Sequence, residues 1–330
     1  MKILVLGGTV FLGRAVARRA LAAGHDVLCA ARGESGEPVE GARFVRVDRD
    51  DPDGLAALQG EFDAVVDVAR HPHHVRHAVA ALAGRAGHYT LVSSASVYAD
   101  VATPHQRSAD APLLPPDYEG DPRADAETYG RCKVACERLA AEGFGADRTF
   151  LLRAGLIVGP EDPTGRFDYW VRRAARGGEV LAPGTPGEAV QVVDVRDLAE
   201  WIIAAPVDGL AGALDGIGAP MTRQEFHDGL AAGAGVPQSL TWVDQEFLAE
   251  RGVAPWSGPR SLPVWLPLPE YAGFLSRDVS ASIAAGLRTR PLAETVRDTL
   301  AAFRDAAHID ANNGLGIDEE AELLRQWHAR

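Results

Sequence analysis

Lysine is almost missing from this chain. Of its 33 basic residues only Lys2 and Lys133 are lysines, and the rest are arginines, so a lysine that is kept is a stronger clue than usual. Asparagine is equally scarce, with Asn312 and Asn313 the only two, which excludes an asparagine from any site built ahead of them. The three cysteines, Cys29, Cys132 and Cys136, cannot all pair and have no metal-like company. That excludes a disulfide framework and points to a reduced, cytoplasmic protein. No apolar run approaches the roughly 20 residues that a membrane-spanning helix needs. The start, Met1 to Leu6, is too short for a secretion signal and runs straight into a glycine turn. Positive charge is in deficit: 46 acidic residues against the 33 basic ones leave a net −13. This argues against nucleic acid or an anionic membrane as partner. What is present is apolar mass: 46% of 330 residues is hydrophobic, enough for one large domain or two modest ones.

The apolar runs are short and alternate with helical patterns. Residues 2–6, 26–31, 44–47, 64–68, 89–92 and 149–152 read as strands, and 14–23, 74–83 and 128–142 as helices. Strands alternating with helices predict an α/β fold with a doubly wound parallel sheet. Beyond residue 159 prolines break the rhythm, and 190–195 reads as one more strand before a helix over 196–205. The expected division is a dinucleotide-binding domain of 1–159 plus about 190–206, with a smaller, mainly helical lobe from about 160–189 and 207–330. Residues 100–126, rich in proline and aspartate, predict a long polar loop, of a length that in a compact domain is usually functional or mobile.

The first strand leads into Gly7-Gly8-Thr9-Val10-Phe11-Leu12-Gly13 and then a helix. In that setting Gly7 permits a tight turn, Gly13 permits close helix packing, and the helix N-terminus receives a pyrophosphate. Gly7, Thr9, Val10, Phe11, Leu12 and Gly13 are therefore expected cofactor contacts, joined by Ala69 after strand four. Strand two ends at Arg32, where an acid would hold a ribose hydroxyl. A guanidinium there grips a 2′-phosphate, which favours NADP(H), with NAD(H) the alternative. Asp48, ending strand three, is either an acceptor for the adenine amino group or a plain turn residue.

Tyr129 and Lys133 stand four apart on one helix face. An ammonium beside a phenol favours the phenolate, so the pair suits proton transfer at neutral pH. The lysine also suits a nicotinamide ribose. Ser94, at the end of strand five, can fix a substrate oxygen, with Ser93 and Ser96 as competing hydroxyls. His71, Ser96 and Arg153 are candidate substrate contacts. The run from His71 to His77 contains the pair His73 and His77 at metal-ligand spacing, but ordinary loop and helix histidines are favoured and no metal is expected.

Together these segments resemble the extended short-chain dehydrogenase/reductases, the NAD-dependent epimerase/dehydratase family. The resemblance rests on the glycine turn, Ser94-Ala95-Ser96-Val97-Tyr98, Tyr129 with Lys133, Leu152-Arg153 with Val158-Gly159-Pro160, and Val193 to Ala199. It implies a Rossmann sheet and a substrate lobe, with Tyr129 as acid/base, Lys133 as its electrostatic partner and Ser94 as the third member. It also implies a homodimer packed through the Tyr129 helix, where Ala135 and Leu139 are apolar.

Four departures narrow the reading. The middle glycine of the turn is Val10, and Ala95-Ser96 stand where the family's dehydratases carry Asp-Glu. Ala154-Gly155-Leu156 and Val190 stand where sugar-nucleotide epimerases hold a diphosphate with Asn and Arg, leaving Arg173, Arg176 or another arginine as a substitute grip. The tetrad asparagine of single-domain relatives has no counterpart. The leading expectation is hydride transfer to or from a carbonyl or alcohol of a small molecule. The alternatives are a redox-neutral epimerase with retained NAD and a non-catalytic NADP-binding sensor.

Overall fold

The computed structural model describes residues 1–305 and 313–330; residues 306–312 of the expected second lobe lie outside the described residues. Its centre is a parallel sheet. The first six strands are β1 (Lys2–Leu6), β2 (Asp26–Ala31), β3 (Arg43–Arg46), β4 (Phe62–Asp67), β5 (Ala86–Ser94) and β6 (Thr149–Ala154). Between them run α1 (Phe11–Ala22), α2 (Pro72–Leu82) and α3 (Ala126–Phe144). The strand order is β3-β2-β1-β4-β5-β6, followed by a seventh strand, Gly212–Gly216.

The alternation of side chains along each strand explains why both faces are covered. In β1, Ile3 and Val5 point to one face and pack with Val16, Ala20, Trp201 and Ile202, from α1 and the helix Val195–Asp208. Leu4 and Leu6 point to the other, among Val75, Leu82, Cys136 and Phe144 of α2 and α3. The strand order reverses between β1 and β4, and a crevice opens there at the carboxyl ends of the strands.

The lobe has its own core, with Phe167, Trp170, Phe226, Leu230, Phe247, Trp265 and Leu323 all buried. Its helices include Arg166–Arg176, Arg223–Ala234, Leu292–Asp305 and Ile317–His328, and short strand pairs such as Gly178–Pro183 with Gln238–Val243 join them.

Two boundaries differ from the sequence reading. The strand expected over 190–195 is two short pieces, Ala189–Val190 and Val193–Asp194, in different pairs. Gln191 lies between them, its amide bonded to the Gly218 carbonyl at 3.0 Å and to both backbone groups of Arg277, and this turns the chain from lobe to sheet. The strand Gly212–Gly216, which the expected division places in the lobe, pairs with β6, Asp215 beside Arg153. Its sequence, Gly-Ala-Leu-Asp-Gly, has no β-branched residue and glycine at both ends, so local propensity does not mark it as strand. Among the described residues no helix is long and apolar enough to cross a membrane.

Candidate active site

The crevice is a cleft of about 920 Å³ running from the glycine turn to the first residues of α3. Gly7, Thr9, Val10, Phe11, Leu12, Gly13, Arg32, Asp48, Ala69, His71, Ser94, Tyr129 and Lys133 all line it. Ser96 and Arg153, expected to touch substrate, do not.

The turn is built around two obligatory glycines. Gly7 takes φ +96°, and a Cβ on Gly13 would stand 2.2 Å from the Gly7 carbonyl oxygen, so both positions require glycine. Val10 in place of the middle glycine is tolerated because its φ is −134° and ψ 141°, extended backbone open to any residue. The strain falls instead on Phe11, at φ 35°. Among the described residues no side chain caps helix α1, which leaves its first N–H groups open to the cleft.

Helix α3 positions Tyr129 and Lys133. Asp125 caps it, accepting from the Thr128 N–H at 2.8 Å, which starts the helix just ahead of Tyr129. A Cβ on Gly130 would meet the Ser96 carbonyl oxygen at 2.2 Å. Glycine therefore lets the first turn of α3 lie directly on the segment that follows Ser94. Lys133 is 2% exposed, and its ammonium donates to the carbonyls of Ala69 at 2.6 Å and Val92 at 2.5 Å. Two of its three protons are thus held by the loop after β4 and by β5.

The three serines separate. Ser93 turns inward and donates to Glu137 at 2.6 Å. Ser94 is half-buried in the cleft wall and its hydroxyl accepts the Ser96 N–H at 3.1 Å. Ser96 receives the Ser94 hydroxyl proton at 3.1 Å and stays off the cleft.

Arg153 is 5% exposed and engaged elsewhere. It pairs with Glu137 at 2.8 Å, reaches Tyr98 Oη at 3.3 Å, and holds the Ser108 carbonyl of the long loop at 3.0 Å. Tyr98 in turn donates to Asp215 at 2.5 Å, and the Arg277 guanidinium lies 3.4 Å from the Tyr98 ring centroid. Arg153 is a buried structural ion, drawn away from the cleft by Glu137. Arg173 and Arg176 are no substitute grip either, since both bind Glu320 in the lobe. Val190 is fully buried.

At the Arg32 end of the cleft, Asp48 accepts the Asp50 N–H at 3.0 Å, the turn role, while its side chain stays exposed in the cleft. One oxygen of Asp50 accepts from His73 at 3.0 Å and from His74 at 2.7 Å. These two bonds hold the Asp50 carboxyl well below its ordinary range, while burial presses His74 down to about 4. Asp50, His73 and His74 offer ligand atoms within 4.8 Å of one another, whereas the spacing argument had paired His73 with His77. His77 instead bonds the Arg49 carbonyl at 2.9 Å.

Sequence reasoning missed Tyr118 and Thr164, which bring the long loop and the lobe to the Tyr129 end, and Glu34 at the other end. Only the length of the loop signalled the first of these. Of the expected dimer face, Ala135 is already buried within the chain and Leu139 partly so.

Residues 3–211 match the NAD dependent epimerase/dehydratase family. A dTDP-6-deoxy-L-talose 4-dehydrogenase (NAD(P)(+)) from Kitasatospora kifunensis is 29% identical over 272 residues, 73% of this chain and 82% of that protein. A 2'-dehydrokanamycin reductase from Streptomyces kanamyceticus is 32% identical over 162 residues, 48% of this chain and 43% of its own length. Among solved structures, a UDP-N-acetylglucosamine 4-epimerase from Bacillus cereus superposes with a TM-score of 0.67 at 18% identity, over 92% of this chain and 99% of its own. At that identity the likeness is one of fold.

Proposed function

The chain belongs to the NAD-dependent epimerase/dehydratase family, and from that footing we propose that it is an NAD(P)-dependent oxidoreductase acting on a carbonyl or alcohol of a small molecule. The observation that carries this reading is the convergence of Tyr129, Lys133 and Ser94 on one cleft with the glycine turn. The bound nicotinamide would supply or accept a hydride at the carbonyl carbon. Ser94 holds the substrate oxygen, Tyr129 gives or takes its proton, and Lys133 holds the ribose. The α1 N-terminus holds the pyrophosphate, and Arg32 favours NADP(H). Both curated relatives are named for redox reactions, one on a deoxysugar nucleotide and one on an aminoglycoside. A ketone on a sugar ring is accordingly the first substrate class to try. The Tyr129 and Lys133 pair in the cleft speaks against a non-catalytic sensor, and the three buried free cysteines agree with a cytoplasmic setting.

The test is a panel of keto-sugars and keto-aminoglycosides with NADPH and NADH, following coenzyme absorbance and product together. Stoichiometric coenzyme consumption is expected. Co-purified NAD that survives gel filtration, together with turnover without net redox, would make the protein an epimerase instead.

A further inference from the structure

Arg32 is the first residue after β2, and Arg46 is the last residue of β3. The two strands pair in parallel with Ala31 beside Arg46, so both guanidinium stems rise from the same edge of the sheet. Between them lies one carboxylate. Glu34 places Oε2 3.6 Å from Arg32 Nε and Oε1 4.0 Å from an Arg46 terminal nitrogen. Gly33, at φ +76°, reverses the chain between Arg32 and Glu34, a conformation that L side chains rarely adopt. On its other side Arg32 lies 3.8 Å from an Asp50 oxygen.

None of these contacts is tight. All exceed hydrogen-bond length, and the side chains of Arg32, Glu34 and Arg46 are 54%, 58% and 76% exposed. Exposed pairs of this kind contribute little to stability and are readily exchanged. A carboxylate with one oxygen toward each of two arginines occupies the place and charge of a bridging phosphate. A phosphate monoester brings up to two charges and three acceptor oxygens, and pairs more strongly with guanidinium than one loosely held carboxylate does.

We propose that Glu34 is an internal stand-in for the cofactor 2′-phosphate, displaced by it, and that Arg46 is the second phosphate ligand beside Arg32. This rests on the cofactor reading above. With a 2′-hydroxyl in place of the phosphate, Glu34 keeps its place and accepts from the ribose, so the same site takes NADH. Glu34 therefore sets the ratio of the two coenzymes: it opposes the 2′-phosphate and favours the hydroxyl.

The test needs no substrate. NADPH and NADH affinities are measured by titration calorimetry for the wild type, Glu34→Gln and Arg46→Gln. Glu34→Gln is expected to tighten NADPH by roughly tenfold and leave NADH equal or weaker. Arg46→Gln is expected to weaken NADPH by at least about fivefold, to flatten its salt dependence, and to move NADH by less than about twofold. Equal shifts for both coenzymes in Glu34→Gln, or unchanged NADPH affinity in Arg46→Gln, would overturn the proposal while the cofactor reading stood. A wild type that binds neither coenzyme would overturn the cofactor reading, and the proposal with it. A wild type that binds only NADH but gains NADPH in Glu34→Gln would support the proposal and remove the NADP preference.

Discussion

The Lys133 ammonium donates to the Val92 carbonyl oxygen at 2.5 Å, two residues before Ser94 on the same strand. The bond ties helix α3 to β5, so one residue fixes the helix that carries Tyr129 against the strand that carries Ser94. Lys133 and Tyr129 should therefore fail differently. Tyr129→Phe is expected to keep NADPH affinity within a few-fold and lower kcat by at least about 100-fold. Lys133→Met should lose coenzyme affinity and thermal stability as well, because two buried carbonyls lose their donor. Single-turnover kinetics with a melting curve separate the two. Most of the activity surviving in Tyr129→Phe would place the proton elsewhere.

Arg153 was read from the sequence as a substrate contact, and the structure buries it against Glu137. Arg153→Met should accordingly cost stability first. Removing one partner of a buried ion pair costs about 3–5 kcal/mol, and Glu137 would keep only the Ser93 hydroxyl. Denaturant unfolding of Arg153→Met and of Glu137→Gln should show similar losses. A variant of wild-type stability with a raised KM would restore the substrate role.

Among the described residues Asp168 Oδ1 has no bonding partner, and burial, with the Asp162 carboxylate beside it, pushes its carboxyl up to about 7. The folded state keeps this proton between about pH 4 and pH 7, where the unfolded chain has lost it. This contribution is present in full below the unfolded value and is lost as pH rises through the folded one. Asp168→Asn removes the dependence. The variant should gain on the wild type as pH rises from 5 to 8, by up to a few kcal/mol at roughly 1.4 kcal/mol per pKa unit. A constant difference between the two across that range would contradict the assignment.

The histidine cluster invites a metal, and its bonding argues otherwise. One Asp50 oxygen already accepts from both His73 and His74, and the other faces Arg32. Tag-free protein should carry no stoichiometric zinc, and EDTA should leave coenzyme binding unchanged. A tightly held metal lost in His73→Ala would refute this.

How far the site could be read from the sequence depended on the range of the contacts. The glycine turn and the Tyr129 and Lys133 spacing are local, and local periodicity identified them. Glu137 with Arg153, and Glu34 with Arg46, join residues brought together only by strand order, and no spacing rule reaches them. Gly212–Gly216 escaped for another reason: the partner strand β6 makes it a strand, not its own residues.

The strand that escaped notice also limits how this protein can be divided. After the lobe segment Arg166–Arg176, the chain returns to the sheet for Val195–Asp208 and Gly212–Gly216, and leaves again for Arg223–Ala234. It touches the sheet domain once more near Ala285 and Leu287, where Trp201 donates to the Ala285 carbonyl at 2.9 Å. The segments that build the sheet and those that build the second hydrophobic cluster are interleaved in sequence. A fragment ending after the helix at residue 208 would leave β6 as a bare edge lined by unpaired backbone, ready to join another copy. Grafting a relative's lobe onto this sheet therefore calls for several simultaneous crossovers, and a single fusion point would yield an aggregating half.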